Sequence, residues 1–293
     1  MTKIQKVLFA AAGVSLVVGT QAQAGYANQD LLLNFRNVTT TTDSDVTVDV
    51  GNITTFVNTV AAQPGGTADL NSLYNFSAAS INTLLGASSS GNVIGLTAAA
   101  STGALSSASI WESRQIVTPT GAGGLPTAAD ANNGTTTSAP TRQTSFETTA
   151  STAIKNIGLG AYSSGTVLSG SSANALVVPS ANGNSFQTKG QASTGQPGLI
   201  SFGGSLPVQG NQSSLELQQD GSGNFYSALW SVPNGTGTSG DTLLGYFTFQ
   251  PSGEVDFSTQ FASAVPEPST YAFVAGLGLR GLVARRQLRA LAA

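Results

Sequence analysis

Four glutamates, Glu112, Glu147, Glu216 and Glu254, are the side chains best suited to acid–base chemistry in this 293-residue chain, which has no histidine and no cysteine. Two carboxylates roughly 5–9.5 Å apart can cleave a glycosidic bond without histidine. The sequence alone places no pair of the four at a given separation, and they read as ordinary surface acids. Without histidine the chain lacks the commonest general base, triad partner and zinc ligand. Asp43, Asp45 and Asp49 are hard oxygen ligands of the kind Ca²⁺ accepts, and Asp220-Gly-Ser-Gly-Asn224 has a similar look. Neither has the loop spacing and terminal glutamate of an EF-hand. Both read as turns, which call for Asp and Gly on backbone grounds alone. Trp111 and Trp230 could together stack on a sugar, but Trp230 alternates with Ala228 and Val232, which places it in a core. No catalytic residue, metal ligand or cofactor is assigned.

Charge narrows the partners. The whole chain carries −3, but six of its eleven basic residues lie at the two ends. Between Gly25 and Ala264 five basic residues face thirteen acidic ones, a net charge near −8. Such a body has no electrostatic footprint for nucleic acid. With no disulfide available it must rely on its core, and it is long enough for one.

The two ends carry segments of another kind. Lys3 and Lys6, the apolar run from Val7 to Val18 and the small-x-small triplet Ala22-Gln23-Ala24 form a secretory signal peptide over 1–24, cut between Ala24 and Gly25. At the other end Val265-Pro266-Glu267-Pro268-Ser269-Thr270 precedes a mostly apolar run, Tyr271 to Ala284, and then Arg285, Arg286 and Arg289. Pro266 and Pro268 hold the backbone extended around Glu267. Fourteen helical residues rise about 21 Å against a hydrocarbon core of about 30 Å. Arg280 lies inside the run, where a charge costs roughly 2.5–3.5 kcal/mol. The helix therefore suits a transient stop, with the terminal arginines held on the cytoplasmic side, better than a permanent anchor.

This order of parts resembles the PEP-CTERM sorting signal of bacterial secreted proteins, over Val265 to Arg289. The resemblance implies an exosortase-type membrane enzyme as partner, cutting near Pro-Glu-Pro. It also implies a body that is exported, transiently membrane-anchored through the C-terminal helix, and released or passed to the cell surface. The stretches Asp30-Leu-Leu-Leu-Asn-Phe-Arg36 with Asp45-Val-Thr-Val-Asp-Val-Gly51, and Leu243 to Phe257, resemble the opening and closing of a domain that recurs among PEP-CTERM proteins.

The elements of the body follow from periodicity. Leu31, Leu33 and Phe35 alternate, as do Val46, Val48 and Val50, and the two stretches make an antiparallel opening pair. One or two short helices are expected between Ala68 and Leu85, strands over Val93–Ala100 and Ser109–Val117, and an exposed low-complexity loop over 118–141. A helix over Phe146–Ile157 would present Phe146, Ala150, Ala153, Ile154 and Ile157 on one face. Short strands are expected at Leu176–Val178 and Leu199–Phe202. Two hairpins follow, one joining 215–218 to Phe225–Val232 and one joining Thr242–Gln250 to Glu254–Phe261.

The expected architecture is mainly β. It is a sandwich or jelly-roll-like body over 25–264 with two or three short helices, then a C-terminal hydrophobic helix, with a β-solenoid as the alternative. The expected function is non-catalytic and structural, at the cell surface or in an extracellular polysaccharide matrix. The alternative is a carbohydrate- or calcium-binding module of that matrix.

Overall fold

The computed structural model describes residues 25–39, 44–86, 93–102, 109–116, 119–132, 144–190, 217–219, 223–232 and 242–263. The expected signal peptide and sorting segment, Asp43, Leu199–Phe202, Glu216 and Asp220 lie outside the described residues.

The chain opens with β1 (Asp30–Asn37) and β2 (Asp45–Asn52), paired antiparallel with Leu33 opposite Val48, as the alternation requires. Helix α1 (Ile53–Ala61) follows directly. Asn52 caps it, its Oδ1 accepting from the amides of Thr54 (3.0 Å) and Thr55 (3.4 Å), and Ile53, Phe56 and Val60 form its buried face. Then come β3 (Thr67–Asp69), α2 (Leu70–Leu73) and α3 (Ala78–Leu85), the expected short helices. Strands β4 (Ile94–Ser101) and β5 (Ile110–Ile116), helices α4 (Ala128–Asn132) and α5 (Thr144–Ser164), strands β6 (Thr166–Val167) and β7 (Ala175–Val178), and α6 (Phe186–Gly190) lead to the last four strands. These are β8 (Leu217–Gln219), β9 (Phe225–Val232), β10 (Thr242–Phe249) and β11 (Val255–Ser258).

All the strands join one antiparallel sheet in the order β3-β11-β10-β9-β5-β4-β1-β2-β7-β6, with β8 beside β4. The mainly-β expectation holds, and the facing layers of the expected sandwich are the two halves of this single sheet. Phe35 on β1 and Phe249 on β10 are four strands apart in it, about 19 Å on a flat ladder. Their ring centroids lie 5.9 Å apart, so the sheet curls until β1 and β10 face each other. The antiparallel ladders rule out the coil of a solenoid. Inside the curl, Phe56 of α1 meets Phe257 at 4.9 Å and Phe247 at 6.3 Å, and Ile81 and Leu85 of α3 close the concave core. A bulge at Leu244 brings Gly245 against β11, where a Cβ would sit 2.3 Å from the Ser258 carbonyl oxygen.

The convex side is covered as well. Ala153, Ile154 and Ile157 of α5 pack with Leu32, Ala99, Ile110, Trp230 and Phe186, so the central strands are buried on both faces.

Two local expectations are corrected. β8 pairs with β4, Leu217 opposite Leu96, while β9 lies between β5 and β10, so 215–232 is not a hairpin. β4 needs a neighbour at its first half because β5 pairs with it only from Ala99 to Ser101. The stretch 118–141 is not one exposed loop: residues 119–132 fold onto the sheet and bury Thr127, Asp130 and Ala131. The β10–β11 hairpin is present as expected. Among the described residues no helix is long and apolar enough to cross a membrane.

Phe56 is fully buried against three other aromatic rings. Phe56→Ala is expected to lower unfolding stability by about 3–5 kcal/mol in urea titration, and Phe56→Leu by clearly less.

Candidate functional site

The described residues that follow β11, 259–263, are fastened to the body. After β11 the Thr259 amide donates to the Gly66 carbonyl at 2.9 Å. The Phe261 ring packs on Tyr246 with centroids 5.2 Å apart. The Ala262 amide donates to the Pro126 carbonyl at 2.9 Å, and the Ser263 carbonyl accepts from the Ala122 amide at 3.3 Å. Residues 262–263 thus lie beside the 121–127 loop as a short strap. The approach requires glycine at 121, since a Cβ there would stand 2.6 Å from the Ala262 Cβ and 2.4 Å from the Leu125 carbonyl oxygen.

Asp130 holds that loop in shape. Its Oδ2 accepts from the amides of Thr120 (2.8 Å) and Thr127 (2.7 Å), its Oδ1 from the Thr120 hydroxyl (2.7 Å), and its own amide donates to Thr127 Oγ1 (3.1 Å). Burial pushes the Asp130 carboxyl up, but these donors outweigh it and hold the group below its ordinary value. The reciprocal Thr127–Asp130 bonds form a capping box at the start of α4. The Thr-Ala-Ala-Asp spacing carries that signal in the sequence; the low-complexity composition around it conceals it.

The other sequence candidates fall elsewhere, and three of them, Asp45, Asp49 and Glu112, lie in a polar layer on the convex side. Asp45 and Asp49 project from β2 to the convex side and are buried. Asp49 accepts from the Gly51 amide (2.8 Å) and the Tyr162 hydroxyl (3.0 Å). Burial, then the charge of Asp30, push its carboxyl up to about 7 despite those bonds. Beside them Thr47 donates to Asn34 Oδ1 at 3.0 Å, the two residues standing opposite each other in the β1–β2 register. Among the described residues no three acidic side chains cluster as a metal site.

Glu112 and Arg114 of β5 share the convex face, and Arg114 is only 2% exposed. Burial pulls the Arg114 guanidinium down and the nearby Glu112 carboxylate pulls it back up, while none of its three nitrogens has a hydrogen-bond partner. Glu254 is exposed in the β10–β11 turn, accepting from the Ser252 hydroxyl at 3.2 Å, so it does not join Glu112 in one cleft. Glu147 lies on α5. Trp230 packs with Ala228 and Val232 on the convex side, as its alternation implies, and Trp111 packs on the concave core. The two indoles are on opposite faces of the sheet and form no common platform.

Residues 264–287 match the family model of the PEP-CTERM protein-sorting motif. No curated protein and no solved structure matches the chain. The matched motif begins at the residue after Ser263, the last residue of the strap. It points to an exported protein, at the surface or outside the cell, sorted through its C-terminus and processed by exosortase, a membrane enzyme.

Two outcomes follow from the polar layer. The ordinary Asp value is 3.8 and the folded Asp49 value about 7, so the folded state holds an extra proton between them. That contribution to stability is complete below about pH 4 and is lost as pH rises through 7. Asp49→Asn is expected to flatten the fall in melting temperature between pH 5 and 8, read by calorimetry. Glu112→Leu alone leaves Arg114 buried without its counter-charge and is expected to cost about 3–5 kcal/mol in urea titration, whereas Glu112→Leu with Arg114→Met is expected to be neutral or stabilising.

Proposed function

We propose that this chain is a non-catalytic structural protein of the bacterial cell surface or extracellular polysaccharide matrix. Its curled-sheet body is the exported product, and its C-terminal segment is the removable address. The observation that carries this reading is the match of residues 264–287 to the sorting motif, which directly follows the folded residues of the body. The acids of the body favour the same reading. Asp130, Asp49 and Glu112 are buried in structural roles, and the two tryptophans serve separate cores.

In this reading the chain is held transiently at the membrane by the apolar run Tyr271–Ala284, with Arg285, Arg286 and Arg289 as its basic stop. Exosortase then acts near Val265–Thr270.

The intact mass of the protein from its native host, with cell-bound and shed fractions separated, tests this. The expected chain begins at Gly25 and ends within 265–270. A mature chain that still carries Arg285 to Arg289 overturns the reading of the tail as a removable address.

A further inference from the structure

We infer that the 119–130 loop competes with the processing enzyme for the backbone of residues 261–263, so that the folded body sets the rate at which its own tail is processed. This rests on the sorting reading above and adds to it a second interaction surface, the strap itself.

A peptide bound in extended form is held mainly through its main-chain N–H and C=O groups. Two of the strap's main-chain groups, the Ala262 N–H and the Ser263 C=O, face the loop. Both are already used, by the Pro126 carbonyl and the Ala122 amide. From Ser263 to Pro266 is three residues, at most about 11 Å of chain. An enzyme that grips the segment on the N-terminal side of Pro-Glu-Pro as a strand therefore meets the loop within one or two residues. To bond the Ala262 N–H and the Ser263 C=O it must displace residues 121–127.

The strap is built to resist that displacement. Phe261 is seated against Tyr246. Asp130 joins the two ends of the loop through Thr120 and Thr127. Gly121 lets Ala262 sit close enough to bond. The surfaces that flank the strap, Gly121–Pro126 and Pro64–Gly66, contain no charged residue, so the loop offers the enzyme no electrostatic handle.

Opening is a local event that leaves the sheet intact, because neither Ala262 nor Ser263 belongs to a strand of the ladder. Processing then has a slow opening step followed by capture. Chains that have not yet docked the loop are cut without it.

Pulse–chase of the full chain in its native host, following conversion of precursor to the shortened form, tests the competition. Three variants are compared with wild type: Asp130→Ala, which loosens the loop; Gly121→Ala, which pushes against Ala262; and a six-residue Gly-Ser spacer between Ser263 and Ala264. Proteolysis of the recovered body checks that each variant is folded. All three are expected to shorten the precursor half-life several-fold. Unchanged half-lives in folded variants overturn the competition. So does acceleration by the spacer alone, since extra length then suffices without opening. A wild-type chain that is never shortened overturns the sorting reading itself, and the competition with it.

Discussion

Phe35 and Phe249 meet only because the sheet between them bends, and most of the molecule is arranged to hold that bend. The concave side is filled by rings: Phe56, Phe76, Phe247 and Phe257 join the pair, and α1 and α3 close what the strands leave open. The bend also explains the fork at β4. That strand pairs with β5 only along its last residues and with β8 along its first, and at the divergence the Ala98 amide donates to the Ser113 hydroxyl at 2.9 Å in place of a ladder carbonyl. A sheet that splits its pairing in this way can turn more sharply than a regular one.

Covering the convex face with α5 and α6 has an electrostatic cost. Side chains that an antiparallel sheet normally turns to water, Asp30, Asp45, Asp49, Glu112 and Arg114 among them, are enclosed instead. The protein manages this with partners for some and shifted ionisation for others. Asp49 has the Tyr162 hydroxyl and the Gly51 amide, and the Tyr162 phenol is itself pushed up by burial and by Asp49. Burial likewise pushes the Tyr26 phenol up to about 12. Such a layer contributes little net stability, but it tolerates few alternative arrangements, and so it holds α5 in one register over the sheet.

The sequence made the strands legible more readily than their surroundings. Val46, Val48 and Val50 mark one face of β2 by simple alternation, and the two pairs of strands adjacent in sequence, β1–β2 and β10–β11, could be read locally. Alternation also suggests that Asp45, Thr47 and Asp49 face solvent. They do not, because the covering helix comes from a hundred residues further on and leaves no trace in the strand itself. The same distance hides the placement of β9, whose Trp230 pairs with Glu112. Helix α1 is rich in β-branched residues and is visible only through its Asn52 cap and the spacing of Ile53, Phe56 and Val60. Of the candidate site, the tail was evident from the order of its parts. The loop that grips the neighbouring residues was not, since its glycines and threonines look like filler until Asp130 is seen to bind them together.

The outermost strands of the sheet have a further consequence. β3 is three residues long and β6 only two, so the sheet ends on both sides in very short edges. A long open edge presents a row of free amides and carbonyls on which another copy of the chain can add its own strand. Here that template is too short to propagate, and Thr67 Oγ1 is turned toward Ser258 rather than outward. In a body with few charged side chains, these short margins limit edge-to-edge pairing between copies by geometry.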